Sequence, residues 1–289
     1  MKMGISLIAT SKARHLVPFL NKSGKLQILS PEKNKDHKYH FPDGEIYVRL
    51  AKVHQLEKRV IVLHSGCPDP NAGLIELEMI LQILNNHTSH RIEVFFSYFP
   101  YGQQDKMFSP GEINMAYTLL EKLVKNYNVK RIYAIDAHFV GRPWVENFPF
   151  VNISAVEKLK SVAEKEYPDL IYKTPDSGSQ RRTGIKGVKK KRIHSYETRT
   201  KCSQSFKKDV QGKTVAVVDD ILETGGTLDR FYDECKKYGA KKVIALITHG
   251  VMPSGIKRIE KKYDRLYLAN TIQTAEKSVN ISDLIINSI

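Results

Sequence analysis

Cysteine is scarce. Cys67, Cys202 and Cys235 are scattered over 289 positions, and no CxxC pair occurs. That argues against a disulfide framework and against a zinc site built on paired thiolates. It fits a reducing compartment, so a cytoplasmic location is expected. Long apolar runs are missing too: none approaches the roughly 20 residues that a membrane-spanning helix needs, and no membrane partner is expected. The opening MKMGISLIATSKARH has no extended apolar core and no small-residue cleavage pattern, so it reads as a first strand rather than a signal peptide. Acids are in deficit, 31 Asp+Glu against 46 Lys+Arg, for a net charge of +15. Such a balance favours anionic partners such as nucleotides and sugar phosphates. The lysines are spread along the chain apart from KGVKKKR (Lys186–Arg192), and no DNA- or RNA-binding motif is present. Nucleic acid is therefore not the expected partner.

What remains is the composition of a folded protein, 41% hydrophobic and 27% charged. Short β-branched runs recur at Ile5–Ala9, Arg59–His64, Arg91–Phe99, Arg131–Asp136, Leu170–Thr174, Thr214–Asp220, Lys242–Gly250 and Arg265–Asn270. Between several of them lie stretches with apolar residues at helical spacing: Leu74–Asn86, Met115–Tyr127 and Thr227–Ala240. The alternation predicts an α/β protein with mainly parallel sheets flanked by helices. Ligands of such sheets bind beyond the carboxyl ends of the strands. The stretch His138–Ser154, with two prolines and a glycine, is a candidate domain boundary. The basic, polar stretch Gly184–Asp209 is long for a connection, so a mobile functional loop is expected there.

The most informative stretch is VAVVDDILETGGTL, Val215–Leu228. An apolar strand ends on Asp219 and Asp220, and ETGGT then leads into a helix. Gly225 and Gly226 leave backbone N–H groups uncovered at a helix start, which is an anion site. The pattern is not GxxxxGK[ST], so it is not a Walker loop. The two carboxylates suit sugar hydroxyls or Mg2+. Phosphate cradle and hydroxyl grip together describe a sugar phosphate.

This stretch resembles the signature of type I phosphoribosyltransferases and of ribose-phosphate diphosphokinases (PRPP synthetases). Further segments separate the two groups. FPDGEIYVRL (Phe41–Leu50), SYFPYGQQDKMFSPGE (Ser97–Glu112), IDAHFVG (Ile135–Gly141), TPDSGSQRR (Thr174–Arg182) and THGVMPSGIKRI (Thr248–Ile259) are similar to PRPP synthetase segments in the same order. Ordinary phosphoribosyltransferases lack the N-terminal half.

The resemblance implies two phosphoribosyltransferase-type domains, here 1–142 and 143–275, with a tail, 276–289, that packs back on the body. It implies transfer of the diphosphate of ATP to the 1-hydroxyl of ribose 5-phosphate with Mg2+, giving PRPP and AMP. It also implies a homo-oligomer, dimer or hexamer, with the ATP site near a subunit interface. By position, Thr224, Gly225, Gly226 and Thr227 would cradle the 5-phosphate, and Asp219 and Asp220 would engage the ribose hydroxyls. His138 and Asp176 would serve the metal. Phe41, Asp43, Glu45, Gln103, Gln104 and Asp105 would lie at ATP. Arg199 and Lys201, with His138, would supply the catalytic groups, the first two from a closing basic loop.

Four positions depart from the family pattern. Gln103 stands for the arginine of R-Q-D, and Gln lacks the fixed charge and fork of Arg. Glu197 stands two residues before Arg199, where a lysine is expected. Glu223 replaces the aspartate before Thr224. Ser179 replaces the second glycine of S-P-D-x-G-G. Two alternatives stay open: a related diphosphotransferase with a different ribose-5-phosphate derivative as acceptor, and a catalytically weak regulatory subunit of the same kind.

Overall fold

The computed structural model describes residues 4–24, 26–185, 190–194, 197–200, 204–274 and 278–289; for residues 23, 190–194, 197–200, 204 and 205 it describes the backbone alone. The chain divides into two compact units. The first comprises residues 1–153, 271–273 and 282–289, and the second comprises 154–270 and 274–281.

The first unit is built on a parallel sheet of six strands: β1 (Ile5–Ala9), β2 (Leu26–Leu29), β3 (Arg59–Ser65), β4 (Arg91–Tyr98), β5 (Arg131–Ile135) and β6 (Phe150–Ile153). Their order is β2-β1-β3-β4-β5-β6. Strands β3 and β4 are buried along nearly their whole length, which is why they are mostly apolar, with Glu93 in β4 a buried acid paired to Arg59 and Arg91. Short α1 (Val17–Leu20) and the longer α2 (Pro70–His87) and α3 (Met115–Lys125) accompany the sheet. Asp69 caps α2 by accepting from the Ala72 N–H, and Asn114 caps α3 by accepting from the Tyr117 N–H. The stretch 138–154 holds β6, which the proline and glycine content hid.

The second unit has a parallel sheet ordered β12-β11-β10-β7. Its elements are α4 (Val156–Glu164), β7 (Leu170–Lys173), α5 (Ser177–Thr183), an antiparallel ribbon of β8 (Lys190–His194) and β9 (Glu197–Thr200), α6 (Gln204–Val210), β10 (Thr214–Leu222), α7 (Gly226–Lys237), β11 (Lys242–Gly250), α8 (Pro253–Lys262) and β12 (Arg265–Leu268). The ribbon stands where the sequence suggested a loop. Helix α9 (Ser282–Ser288) returns to the first unit and packs on α1. Among the described residues no helix is long and apolar enough to cross a membrane.

One buried polar group in the first unit sets an acid limit. His64, at the end of β3, is fully buried. Its Nδ1 bonds the Thr10 hydroxyl at 3.0 Å, its ring meets Phe96 edge to face, and its Nε2 has no hydrogen-bond partner among the described residues. Burial, helped by the nearby Lys12 charge, pushes its pKa down from 6.5 to about 3. The folded chain thus refuses a proton that the unfolded chain binds below about 6.5. Stability contributed by this group is complete above that value and is lost as pH falls toward about 3, by at most about 1.4 kcal/mol per pH unit. In urea titrations between pH 6.5 and 4, His64→Gln is expected to show a shallower loss of unfolding free energy than the wild type. Parallel slopes would contradict this.

Candidate functional site

Strand β10 carries the densest cluster of chemistry. It does not stop at the acids: its ladder to β11 continues through Asp219 opposite Ile247 to Leu222 opposite Gly250. Its other neighbour, β7, ends at Lys173 opposite Val217. Beyond that point the edge of β10 is met by α5 instead of a strand. Asp219 and Asp220 lie in this open corner, both nearly buried.

Two adjacent buried carboxylates repel each other and lack water, so they need partners. Helix α5 supplies them. Ser179 Oγ donates to Asp219 Oδ1 at 2.6 Å, and Arg182 donates through NH2 to Asp220 Oδ1 at 2.7 Å and to Ser179 Oγ at 3.1 Å. The Asp220 N–H donates to Asp219 Oδ1 at 3.0 Å. Burial, and then the neighbouring Asp220 charge, hold the Asp219 carboxyl well above the usual carboxylate range, while the Ser179 hydrogen bond pulls the other way. Asp176 caps α5 through Oδ1, which accepts from Ser179 N–H at 2.9 Å. A Cβ added to Gly178 would lie 3.0 Å from Arg182 NH1 and 3.2 Å from that Asp176 oxygen, so glycine makes room for both.

The loop after β10 is built on main chain instead. Gly225 takes the left-handed conformation at φ +77°, and no side chain caps α7. The first N–H groups of a helix lack intrahelical partners and have the helix dipole behind them. A Cβ on Gly226 would meet nothing nearer than 3.8 Å, so packing does not require glycine there; bare backbone leaves a cradle that a side chain would fill. Thr224 is exposed and Thr227 half-buried. The loop is held from below by α8: a Cβ on Gly255 would lie 1.6 Å from the Glu223 carbonyl oxygen. The contact is made by main chain, and the Glu223 side chain is on the exposed side.

In the first unit, residues 101–105 and His138 are neighbours, since a Cβ on Gly102 would lie 3.6 Å from His138 Cβ. Tyr101, just after β4, and Asp136, just after β5, both have positive φ, 55° and 34°. Non-glycine residues in this region gather at functional strand ends. Gln103 and Gln104 are exposed and line a hollow of about 440 Å3 with Lys106, Phe108, Gly111, Glu112 and Ile113. Asp105 is different. It is 3% exposed, and Arg142 grips it at both oxygens, Nε to Oδ2 at 2.6 Å and NH2 to Oδ1 at 3.1 Å. Trp144 Nε1 donates to its carbonyl at 3.2 Å. Asp105 thus fastens the loop, with its carboxylate committed to Arg142. Phe41, Asp43 and Glu45 form an exposed turn, closed by Phe41 N–H to Glu45 O and Gly44 N–H to Phe41 O; Phe41 meets Tyr47 edge to face.

The structure therefore gathers Asp176, Asp219, Asp220 and the 224–227 loop in the second unit, and Gln103, Gln104, Asp105 and His138 in the first. Arg199 lies in β9, and only its backbone is described; Lys201 lies outside the described residues. The sequence reading missed Arg182, Arg142 and Gly255. Arg182 sits in a basic dipeptide that looks solvated, and Arg142 sits in the stretch taken as a boundary. Gly255 had a signal, the S-G of the stretch after β11, without a reason.

Residues 26–127 match the family described as the N-terminal domain of ribose phosphate pyrophosphokinase, and residues 173–281 match the phosphoribosyl transferase domain. A ribose-phosphate pyrophosphokinase of Pyrococcus furiosus is 31% identical over 97% of this chain and 99% of its own length. The chain belongs to the ribose-phosphate pyrophosphokinase family. A family member from Pyrococcus abyssi is 29% identical, with 98% of each chain covered. The crystal structure of phosphoribosylpyrophosphate synthetase from Mycobacterium smegmatis superposes with a TM-score of 0.81 at 24% identity, covering 99% of this chain and 97% of that one. It shares the two-sheet fold. Set against the ribose-phosphate pyrophosphokinase pattern, the Glu223 departure leaves the loop's backbone contact with α8 untouched, whereas the Ser179 departure places a hydroxyl in the middle of the acid cluster.

Because Gly255 is in contact with the Glu223 carbonyl, Gly255→Ala is expected to push the 223–226 loop off α8. Calorimetric titration with ribose 5-phosphate should then show binding weakened at least about tenfold, the scale of one lost charge-assisted hydrogen bond. Unchanged affinity in a folded Gly255→Ala protein would mean that the loop does not form the phosphate cradle.

Proposed function

We propose that this chain transfers the diphosphate of ATP to the 1-hydroxyl of ribose 5-phosphate, giving PRPP and AMP. The observation that carries the reading is the joint presence, at the end of β10, of an uncapped glycine-led helix start and a buried acid pair. The 224–227 loop takes the 5-phosphate through backbone N–H groups and the α7 dipole. Asp219 and Asp220 accept hydrogen bonds from ribose hydroxyls, which orients the sugar for attack by its anomeric oxygen.

The residues also fit a hard divalent cation. Asp176, Asp219 and Asp220 bring three carboxylates near one another, with the Arg182 guanidinium among them. No three His, Cys, Asp or Glu side chains among the described residues form a cage by themselves. Mg2+ keeps waters and binds through one or two carboxylates and the substrate's phosphates. Asp176 and His138 are the proposed protein groups on the metal side. When bound, Mg2+ would offset charge on the transferring phosphates. Gln103, Gln104 and His138 serve the nucleotide side, with the neighbouring hollow as its entrance, and Asp105 holds their loop in place. The exposed Phe41 turn offers an aromatic face for adenine, in keeping with a homo-oligomer whose ATP site lies near a subunit interface. Arg199 and Lys201 are the cations proposed to meet charge on the transferring group.

Purified protein with ATP, Mg2+ and ribose 5-phosphate is expected to release AMP and PRPP, and Asp220→Ala is expected to lose at least about a hundredfold of that rate. AMP formation no higher than in Asp220→Ala would defeat the reading. Turnover only with another ribosyl acceptor would point to a related transferase instead. A second expectation concerns the missing cation. Gln103→Arg is expected to raise kcat, because a fixed charge is restored beside the nucleotide loop. A lower rate would show that this loop has been rebuilt around the amide.

A further inference from the structure

The hydrogen bonds around the acid pair close into a ring, and the proton count of that ring is informative. Ser179 Oγ has one proton and two candidate acceptors, Asp219 Oδ1 at 2.6 Å and Asp176 Oδ1 at 3.2 Å. The shorter contact takes it. The oxygen's lone pair then accepts from Arg182 NH2, whose other hydrogen goes to Asp220 Oδ1. The Asp220 N–H completes the circuit on Asp219 Oδ1. Each hydrogen in the circuit has one acceptor. Ser179 is fully buried, and the Arg182 side chain is 9% exposed. Arg182 Nε has no hydrogen-bond partner among the described residues, so the guanidinium is held chiefly at its NH2 corner.

We infer that Ser179 and Arg182 form a polar lock that presets the Asp219–Asp220 grip and thereby sets the discrimination of the sugar acceptor by its hydroxyls. The inference rests on the reading that ribose 5-phosphate binds at the end of β10. The lock ties Oδ1 of each acid to the protein and fixes how both carboxylates are presented, so hydroxyl recognition depends on that presentation. A flexible carboxylate can follow a displaced or missing hydroxyl; a fixed one cannot. Rejection of a sugar that lacks a hydroxyl is strongest where the polar group built to meet it cannot find another partner. Ser179 and Arg182 act through the acids, so they are positioning residues. The serine is also the point where this chain leaves its family's glycine. A glycine there would keep the N–H bond to Asp176 and lose the hydroxyl at the centre of the ring.

The test compares ribose 5-phosphate with 2-deoxyribose 5-phosphate, by calorimetric binding and by turnover with ATP and Mg2+, in wild type, Ser179→Ala, Arg182→Met and Arg182→Lys. Expected is a roughly tenfold weaker grip on ribose 5-phosphate in Ser179→Ala and a tenfold to hundredfold weaker one in Arg182→Met, the scale of a hydrogen bond to a charged group. Binding of 2-deoxyribose 5-phosphate should fall less, so that discrimination between the two sugars shrinks. The ATP KM is expected to stay within about twofold, a scale well below one lost charged hydrogen bond. Arg182→Lys should recover part of the loss, since one ammonium can still reach Asp220. Equal losses for both sugars, or a parallel rise in the ATP KM, would overturn the lock. So would unaltered discrimination in Ser179→Ala, the smallest change and the one least able to unfold the protein. A wild type that neither binds nor turns over ribose 5-phosphate would overturn the functional reading and this inference with it. A wild type that does both, beside variants that match it, overturns the inference alone.

Discussion

Two neighbouring carboxylates at the end of a buried strand are costly, and much of the second unit is arranged around meeting that cost. Burying a charge without a partner costs several kcal/mol, and a second like charge beside it adds more. Asp219 and Asp220 are tolerated because β7 is short, so that α5 enters the gap and brings Ser179 and Arg182 to them. The extension of β10 past its neighbour and the cap on α5 by Asp176 belong to one arrangement. Remove the charges and a longer β7 would serve the sheet equally well.

The first unit meets a comparable demand with a different answer. Asp105 is as buried as the acids of β10, yet Arg142 grips both of its oxygens and its surroundings are aromatic. The charge there is spent on holding a loop, and the residues offered outward are two amides. A fastened loop with uncharged tips and a corner of acids on a shared lock are thus two uses of the same raw material, a carboxylate after or at the end of a strand and an arginine brought from a remote part of the chain.

Much of this was legible beforehand, for reasons that can be named. Strand β1 read correctly to the residue because its apolar run ends where its ladder ends, and β11 did so because Gly250 marks its end in sequence and ladder alike. Strand β10 was placed two residues short, because polarity begins at Asp219 while the ladder to β11 does not stop there. Strands β2 and β6 left no usable pattern, being four residues each with no fully buried position. The glycine loop and the acid pair were visible because their chemistry is local. Arg182 was not, because its meaning depends on a partner 38 residues away, and Arg142 on one 37 residues away. Spacing patterns carry local chemistry well and remote pairing badly, which is why the family resemblance reached the glycine loop and the acid pair but not the residues that support them.

The contact between Gly255 and the Glu223 carbonyl has an evolutionary meaning. A loop seated by its main chain on another element cannot be reshaped by exchanging its own side chains, since none of them makes the contact. It is inherited as a shape. Helix α5 is the opposite case, because its grip on the acids is made wholly of side-chain atoms and each is one codon from something else. Change in the surroundings of the acid pair therefore has an open route through α5, whereas change in the seating of the 223–226 loop has a closed one, and the serine at 179 lies on the open route.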